Sequence, residues 1–126
     1  MQRELRGLES GRYISMSYSR ANTKLSEAIE ALATSAHPTL QQRLAIAYLF
    51  HIRSVEPDEL PIEVESQFKT LRDKLTRLAT DSIPLQDAIK IAKELVRISH
   101  IVAAENHRLE LMAQPSAARR HHGRIV

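Results

Sequence analysis

The chain has no cysteine and no tryptophan, and it spends only three glycines, three tyrosines and two phenylalanines over 126 residues. Without cysteine there is no disulfide framework, no thiol nucleophile, no thiolate zinc site and no iron–sulfur ligation. The absence fits a reducing compartment. Three glycines are too few for phosphate-cradling loops or for a β fold with many tight turns. So few aromatic residues argue against a β-sandwich and against platforms on which bases stack. Long apolar runs are missing too. The longest, Leu44–Phe50, falls far short of the ~18 residues of a membrane span. No apolar stretch follows the basic residues of the first segment, so a signal peptide is not expected. A cytoplasmic protein with no membrane association is the expectation.

What is present is enough for one domain with a real core, needing no disulfide or structural metal. The net charge of +3 and the basic isoelectric point suggest nucleic acid. Position weakens the suggestion. Residues 1–15 are net +1 and residues 114–126 are net +3, while the middle holds twelve basic against thirteen acidic residues. A near-neutral domain lacks the broad basic face of a DNA-binding fold. Residues 1–18 read as a flexible extension, 19–113 as the folded domain, and 114–126 as a basic flexible tail containing Pro115, Gly123 and Arg119-Arg120-His121-His122.

Within the domain the apolar residues recur with helical spacing and never with the period of two of a strand. Leu25, Ala28, Ile29, Leu32 and Ala36 form one stripe of a first helix over Ala21–Ala36, with Ser19 or Thr23 as candidate caps. His37-Pro38 ends it. A second helix over about Thr39–Ser54 is apolar nearly all round, which predicts a central element buried on several sides, with His51 inside. Pro57 and Pro61 predict a turn or a short 3₁₀ piece. The acids Glu56, Asp58, Glu59, Glu63 and Glu65 gather where the partial positive charge of a helix N-terminus favours them. The third helix, about Ile62–Ala79, carries a seam of Val64, Phe68, Leu71, Leu75 and Leu78 stepping four, three, four, three. Thr80-Asp81-Ser82 and Pro84 start a long fourth helix reaching about Met112. Its stripe is Leu85, Ala88, Ile89, Ala92, Leu95, Val96, Val102 and Ala103, with Asn106, His107 and Glu110 on the same line further on. The last two or three turns are therefore expected to overhang the bundle or meet another chain. The fold class is all-α, an antiparallel four-helix bundle with a long fourth helix.

The histidines invite a search for chemistry. No Glu-x-x-His or His-Glu-x-x-His occurs, and His100 and His107 stand roughly 10.5 Å apart along one helix, too far for one metal. No His is followed closely by the Lys and Gly of a histidine phosphotransfer domain. Arg97 and His100 lack the wider Arg-to-His spacing of the helical ribonucleases. The acidic loop has no calcium-loop spacing. Neither catalytic nor metal-binding residues nor a cofactor are expected, and the chain reads as a non-enzyme. Arg43, set among apolar residues, calls for a carboxylate such as Glu59 or Asp58, or else for a partner molecule. Lys69, Arg72, Lys74 and Arg77 read as a solvated face.

Arg43-Leu44-Ala45, Ala47-Tyr48, Leu60-Pro61, Phe68, Leu71 and Leu75-Thr76 give the stretch Leu25–Leu78 a resemblance to a group of small, functionally uncharacterised bacterial all-helical proteins. The resemblance implies a bacterial, intracellular helical protein and brings no activity with it. The expected function is that of a protein–protein interaction module, an accessory or regulatory subunit that self-associates as a homodimer. Arg43, His107, Leu109, Glu110, Leu111 and Met112 are its candidate contacts. The alternative is a nucleic-acid-associated regulator using Arg119, Arg120 and Arg124 of the tail.

Overall fold

The computed structural model describes residues 17–113. They form four helices: α1 (Ser17–Thr34), α2 (Leu40–Ala47, prolonged by a π turn over Tyr48–Ile52), α3 (Ile62–Thr80) and α4 (Leu85–Ala113). A 3₁₀ turn, Pro57–Glu59, lies between α2 and α3, and no strand occurs among the described residues. Successive helices are joined by short connections and pack on one another, giving an antiparallel bundle. α4 touches all three other helices, while α1 and α3 lie across from each other without backbone contact.

The seam of α3 is buried as expected, from Val64 through Phe68, Leu71 and Leu75 to Leu78. Thr39 caps α2 in a reciprocal box: its hydroxyl accepts from the Gln42 N–H at 3.1 Å, and the Gln42 side chain accepts from the Thr39 N–H at 3.3 Å. Three expectations are corrected. First, α1 begins at Ser17, ahead of Ala21, so Ser19 and Thr23 lie inside it instead of capping it, and Ser17 and Tyr18 belong to the bundle.

Second, α2 is not buried all round. Leu49 and Phe50 are 41% and 68% exposed. The reason is the π turn, in which the Arg53 N–H donates to the Tyr48 carbonyl at 2.8 Å. Such a turn takes more residues per revolution than the 3.6 of an α-helix. Ile52 therefore arrives on the line of Leu44 and Tyr48 where an unbroken α-helix would bring His51. Ile52 is fully buried, and the His51 side chain is left 25% exposed with its Nδ1 3.5 Å from Glu27 Oε1 on α1. Third, the buried line of α4 is Ala88, Ile91, Leu95, Ile98, Ser99, Val102 and Asn106, so Leu85 and Ile89 face outward. The helix is rotated about its axis relative to the expected stripe, toward Ile91 and Ile98.

α2 with its π turn has thirteen residues, roughly 20 Å, against roughly 43 Å for the 29 of α4. The chain from Ser54 to Pro61 covers the remaining length and buries Val55, Leu60 and Pro61. Arg20 of α1 pins this segment down. Its Nη1 donates to both Glu59 carboxylate oxygens, at 2.6 and 2.8 Å, and its Nη2 to the Ser54 carbonyl at 3.2 Å. Glu59 also accepts from the Glu56 N–H at 2.8 Å. From the other side, Arg72 of α3 lies over the Phe68 ring and donates to the Val55 carbonyl at 3.0 Å. Arg72 is thus a clamp for the end of α2, not part of a solvated face.

Candidate functional site

The end of the bundle that holds the C-terminus of α4 also holds the N-termini of α1 and α3. Antiparallel packing dictates this, and electrostatics show it: Tyr18 on α1 senses Glu63 on α3 together with Glu105 and Arg108 on α4. Burial raises the Tyr18 phenol above its ordinary value of 10.0, and Glu63 and Glu105 raise it further, while Arg108 pulls it down. Arg108 grips Glu105 one turn back, with Nε at 3.1 and 3.2 Å from the two carboxylate oxygens and Nη2 at 2.8 Å from one of them. Those bonds hold the Glu105 carboxyl below its ordinary value and raise the guanidinium. Arg108 Nη1 also donates to the Met112 sulfur at 3.3 Å.

The exposed end of α4 amounts to about two turns, residues 107–113. Asn106 is only 5% exposed and donates through Nδ2 to Glu110 Oε2 at 3.3 Å. The early start of α1 brings Tyr18 beside Glu105 and Arg108, so the helix is covered about that far. Of the expected contacts, His107 and Glu110 are exposed, Leu109 is half-buried, and Leu111 and Met112 are 45% and 64% exposed. α4 thus brings those five residues together over its last two turns. Arg43 is not among them. It sits near the start of α2, where Gln41 donates to the Ile83 carbonyl of the α3–α4 turn at 3.2 Å, so it belongs to the opposite end. Nor does Arg43 take Glu59, because Arg20 holds that carboxylate; Arg43 is half-buried with its Nε enclosed.

Ile62 was not singled out by the sequence, yet it is 85% exposed at the first position of α3, next to Glu63. A signal was available, since it precedes the Val64 seam and falls off its line. Ile62 and Met112 thus stand at the same end of the bundle, among Glu63, Glu105, Arg108 and Glu110.

Among the described residues no group of three or more His, Asp or Glu side chains could hold a metal, and no helix is long and apolar enough to cross a membrane. His37 and His100 are exposed and separate from this end of the bundle. His121, His122 and the expected nucleic-acid contacts Arg119, Arg120 and Arg124 lie outside the described residues. Comparison with protein families, with curated proteins and with solved structures finds no match to the chain.

Proposed function

We propose that the chain is a non-enzymatic, cytoplasmic interaction module, an accessory or regulatory subunit, that self-associates as a homodimer through the end of α4 and the start of α3. The observation that carries this reading is the exposure of Ile62 and Met112 at one end of the bundle, with Leu111 beside Met112. The resemblance to small bacterial helical proteins is compatible with it and adds no activity.

In a two-fold pairing each exposed side chain appears twice. Burying Ile62 and Met112 of both copies releases about 1.5–3 kcal/mol per side chain, or about 6–12 kcal/mol in all. Association costs about 4–15 kcal/mol in lost freedom. The balance describes a weak, concentration-dependent dimer. Its charges give it a signature. Glu63, Glu105 and Glu110 outnumber Arg108 at this end, so two-fold pairing brings like charges together, and screening by salt tightens it. A head-to-tail pairing against a basic region would respond in the opposite sense.

Sedimentation velocity of the full chain at low and high salt is the test. The expected result is a monomer–dimer equilibrium that shifts toward dimer with salt and is lost in Ile62→Glu/Met112→Glu. A monomer at all accessible concentrations would overturn the proposal, as would a dimer that the double substitution leaves intact.

A further inference from the structure

At the opposite end of the bundle, α3 and α4 enclose a cleft of about 260 Å³ lined by Lys74, Arg77, Ile83, Asp87, Lys90 and Ile91. Its construction follows from helical spacing. Lys74 and Arg77 are three apart and share one face of α3; Asp87 and Lys90 are three apart and share one face of α4. The short Thr80–Leu85 connection sets those faces against each other. Gln41 of α2 bonds the Ile83 carbonyl at 3.2 Å and fixes the turn at the closed end. Half-buried Ile83 and nearly buried Ile91 supply an apolar floor. Further along the same groove Arg97 joins Gln67 of α3 to Glu94 of α4 and closes it.

Ion pairing divides the cations of the described residues, and those of this cleft fall with Arg43, Arg53, Arg72 and Lys93 among the ones in no ion pair. Arg20, Lys24, Lys69, Arg97 and Arg108 are each in an ion pair with a carboxylate. Lys74, Arg77 and Lys90 are in none of the ion pairs among the described residues, although Asp87 lines the same cleft. Three cations against one carboxylate leave the cleft at +2, over two isoleucines, inside a domain that is net −1.

We propose that this cleft binds a small organic anion, a phosphate or carboxylate attached to an apolar body, with the anionic group between Lys74, Arg77 and Lys90 and the apolar body on Ile83 and Ile91. Concavity over an apolar floor with a few convergent charges is the character of a small-molecule site, and the volume suits a single ring or short chain. A polynucleotide would need an extended cationic track, whereas Arg97 is neutralised by Glu94 one step along the groove. The site is at the far end from the proposed dimer contact and does not depend on it.

Titrations of the full chain with phenyl phosphate, inorganic phosphate and phenol, followed by the methyl resonances of Ile83 and Ile91, test the assignment. Phenyl phosphate is expected to bind saturably, at least tenfold more tightly than phosphate or phenol, and to weaken as salt is raised. Lys74→Gln/Lys90→Gln should raise its Kd at least tenfold. Both lysines are exposed, so the fold survives, and an unchanged thermal transition checks this. No saturable shift at Ile83 and Ile91, an unchanged Kd in the double variant, or tighter binding of duplex DNA than of phenyl phosphate would each overturn the proposal.

Discussion

Arg20 and Glu59 fasten the segment that completes the bundle below α2, and the energy of that fastening can be worked out. Exposed ion pairs contribute about 0.2–1 kcal/mol. This one belongs near the top of that range, because one nitrogen faces both carboxylate oxygens and the Glu59 side chain is only 21% exposed. The added bond from Arg20 to the Ser54 carbonyl contributes about 0.5–1 kcal/mol more. Arg20→Ala should therefore cost about 1–2 kcal/mol, or a fall in Tm of about 5 °C per kcal/mol. Glu59→Gln loses the charge and keeps an acceptor for the Glu56 N–H, so its cost should be about 1 kcal/mol. The double-mutant cycle of Arg20→Ala with Glu59→Gln, read by urea denaturation, should give a coupling of about 0.5–1 kcal/mol. The same cycle with Arg43→Ala should give a coupling near zero. A larger coupling for Arg43 than for Arg20 would refute the assignment of the clamp and restore the pairing expected from sequence.

Other substitutions separate core from surface. Phe68→Ala removes a fully buried ring and should cost about 3–5 kcal/mol in chemical denaturation, a large part of the stability of such a domain. Ile52→Ala should cost about 2–5 kcal/mol, whereas Phe50→Ser, two residues away, should stay within about 0.5 kcal/mol of the parent; equal costs would disprove the π turn. Tyr18 should titrate above 10.0 by NMR of its ring carbon, with Glu63→Gln lowering the value and Arg108→Ala raising it. Because its folded value is raised, Tyr18 contributes stability that is fully present below pH 10.0 and lost as pH rises through the folded value; a loss that begins on acidification would contradict the sign.

How far the sequence could be read depends on which residues are asked. The seam of α3 was legible because Val64, Phe68, Leu71, Leu75 and Leu78 repeat over an unbroken α-helix flanked by charge, and one periodicity places all five. The exposure of Phe50 was not legible, because projection at a constant angle assumes the α period, and the π turn changes that period at Tyr48. The rotation of α4 was hard to read for another reason: Ile89, Ile91, Val96 and Ile98 offer two overlapping apolar lines, and only the positions of α1, α2 and α3 choose between them. The start of α4 was legible from Pro84, directly before Leu85, although Thr80 ends α3 and Asp81 caps it instead of capping α4. The residues beside the C-terminus of α4 were not, because Tyr18 and Ile62 arrive from distant parts of the chain. Arg43 misled because a long cation among apolar residues calls for a carboxylate, and sequence alone cannot say that Arg20 is nearer to Glu59.

Net charge shows the same gap between pattern and place. The domain's twelve cations and thirteen acids nearly cancel, and on that sum it has no electrostatic character. The fold distributes them unevenly. Glu56, Asp58, Glu59, Glu63 and Glu65 surround the start of α3, and antiparallel packing adds Glu105 and Glu110 from the end of α4. Lys74, Arg77, Lys90 and Lys93 stand at the other end, where α3 finishes and α4 begins, interspersed with Asp73, Asp81, Asp87 and Glu94. Helix dipoles explain part of this, since acids favour the N-terminus of α3 and Arg77 its C-terminus. Lys90 and Lys93, the sixth and ninth residues of α4, lie beyond the first turn, where the dipole acts and where Asp87 has the favourable sign. At the acidic end Arg108 compensates Glu105 internally. In the cleft between α3 and α4, Asp87 lines the wall with three cations, and that local excess is the ground for the proposed anion.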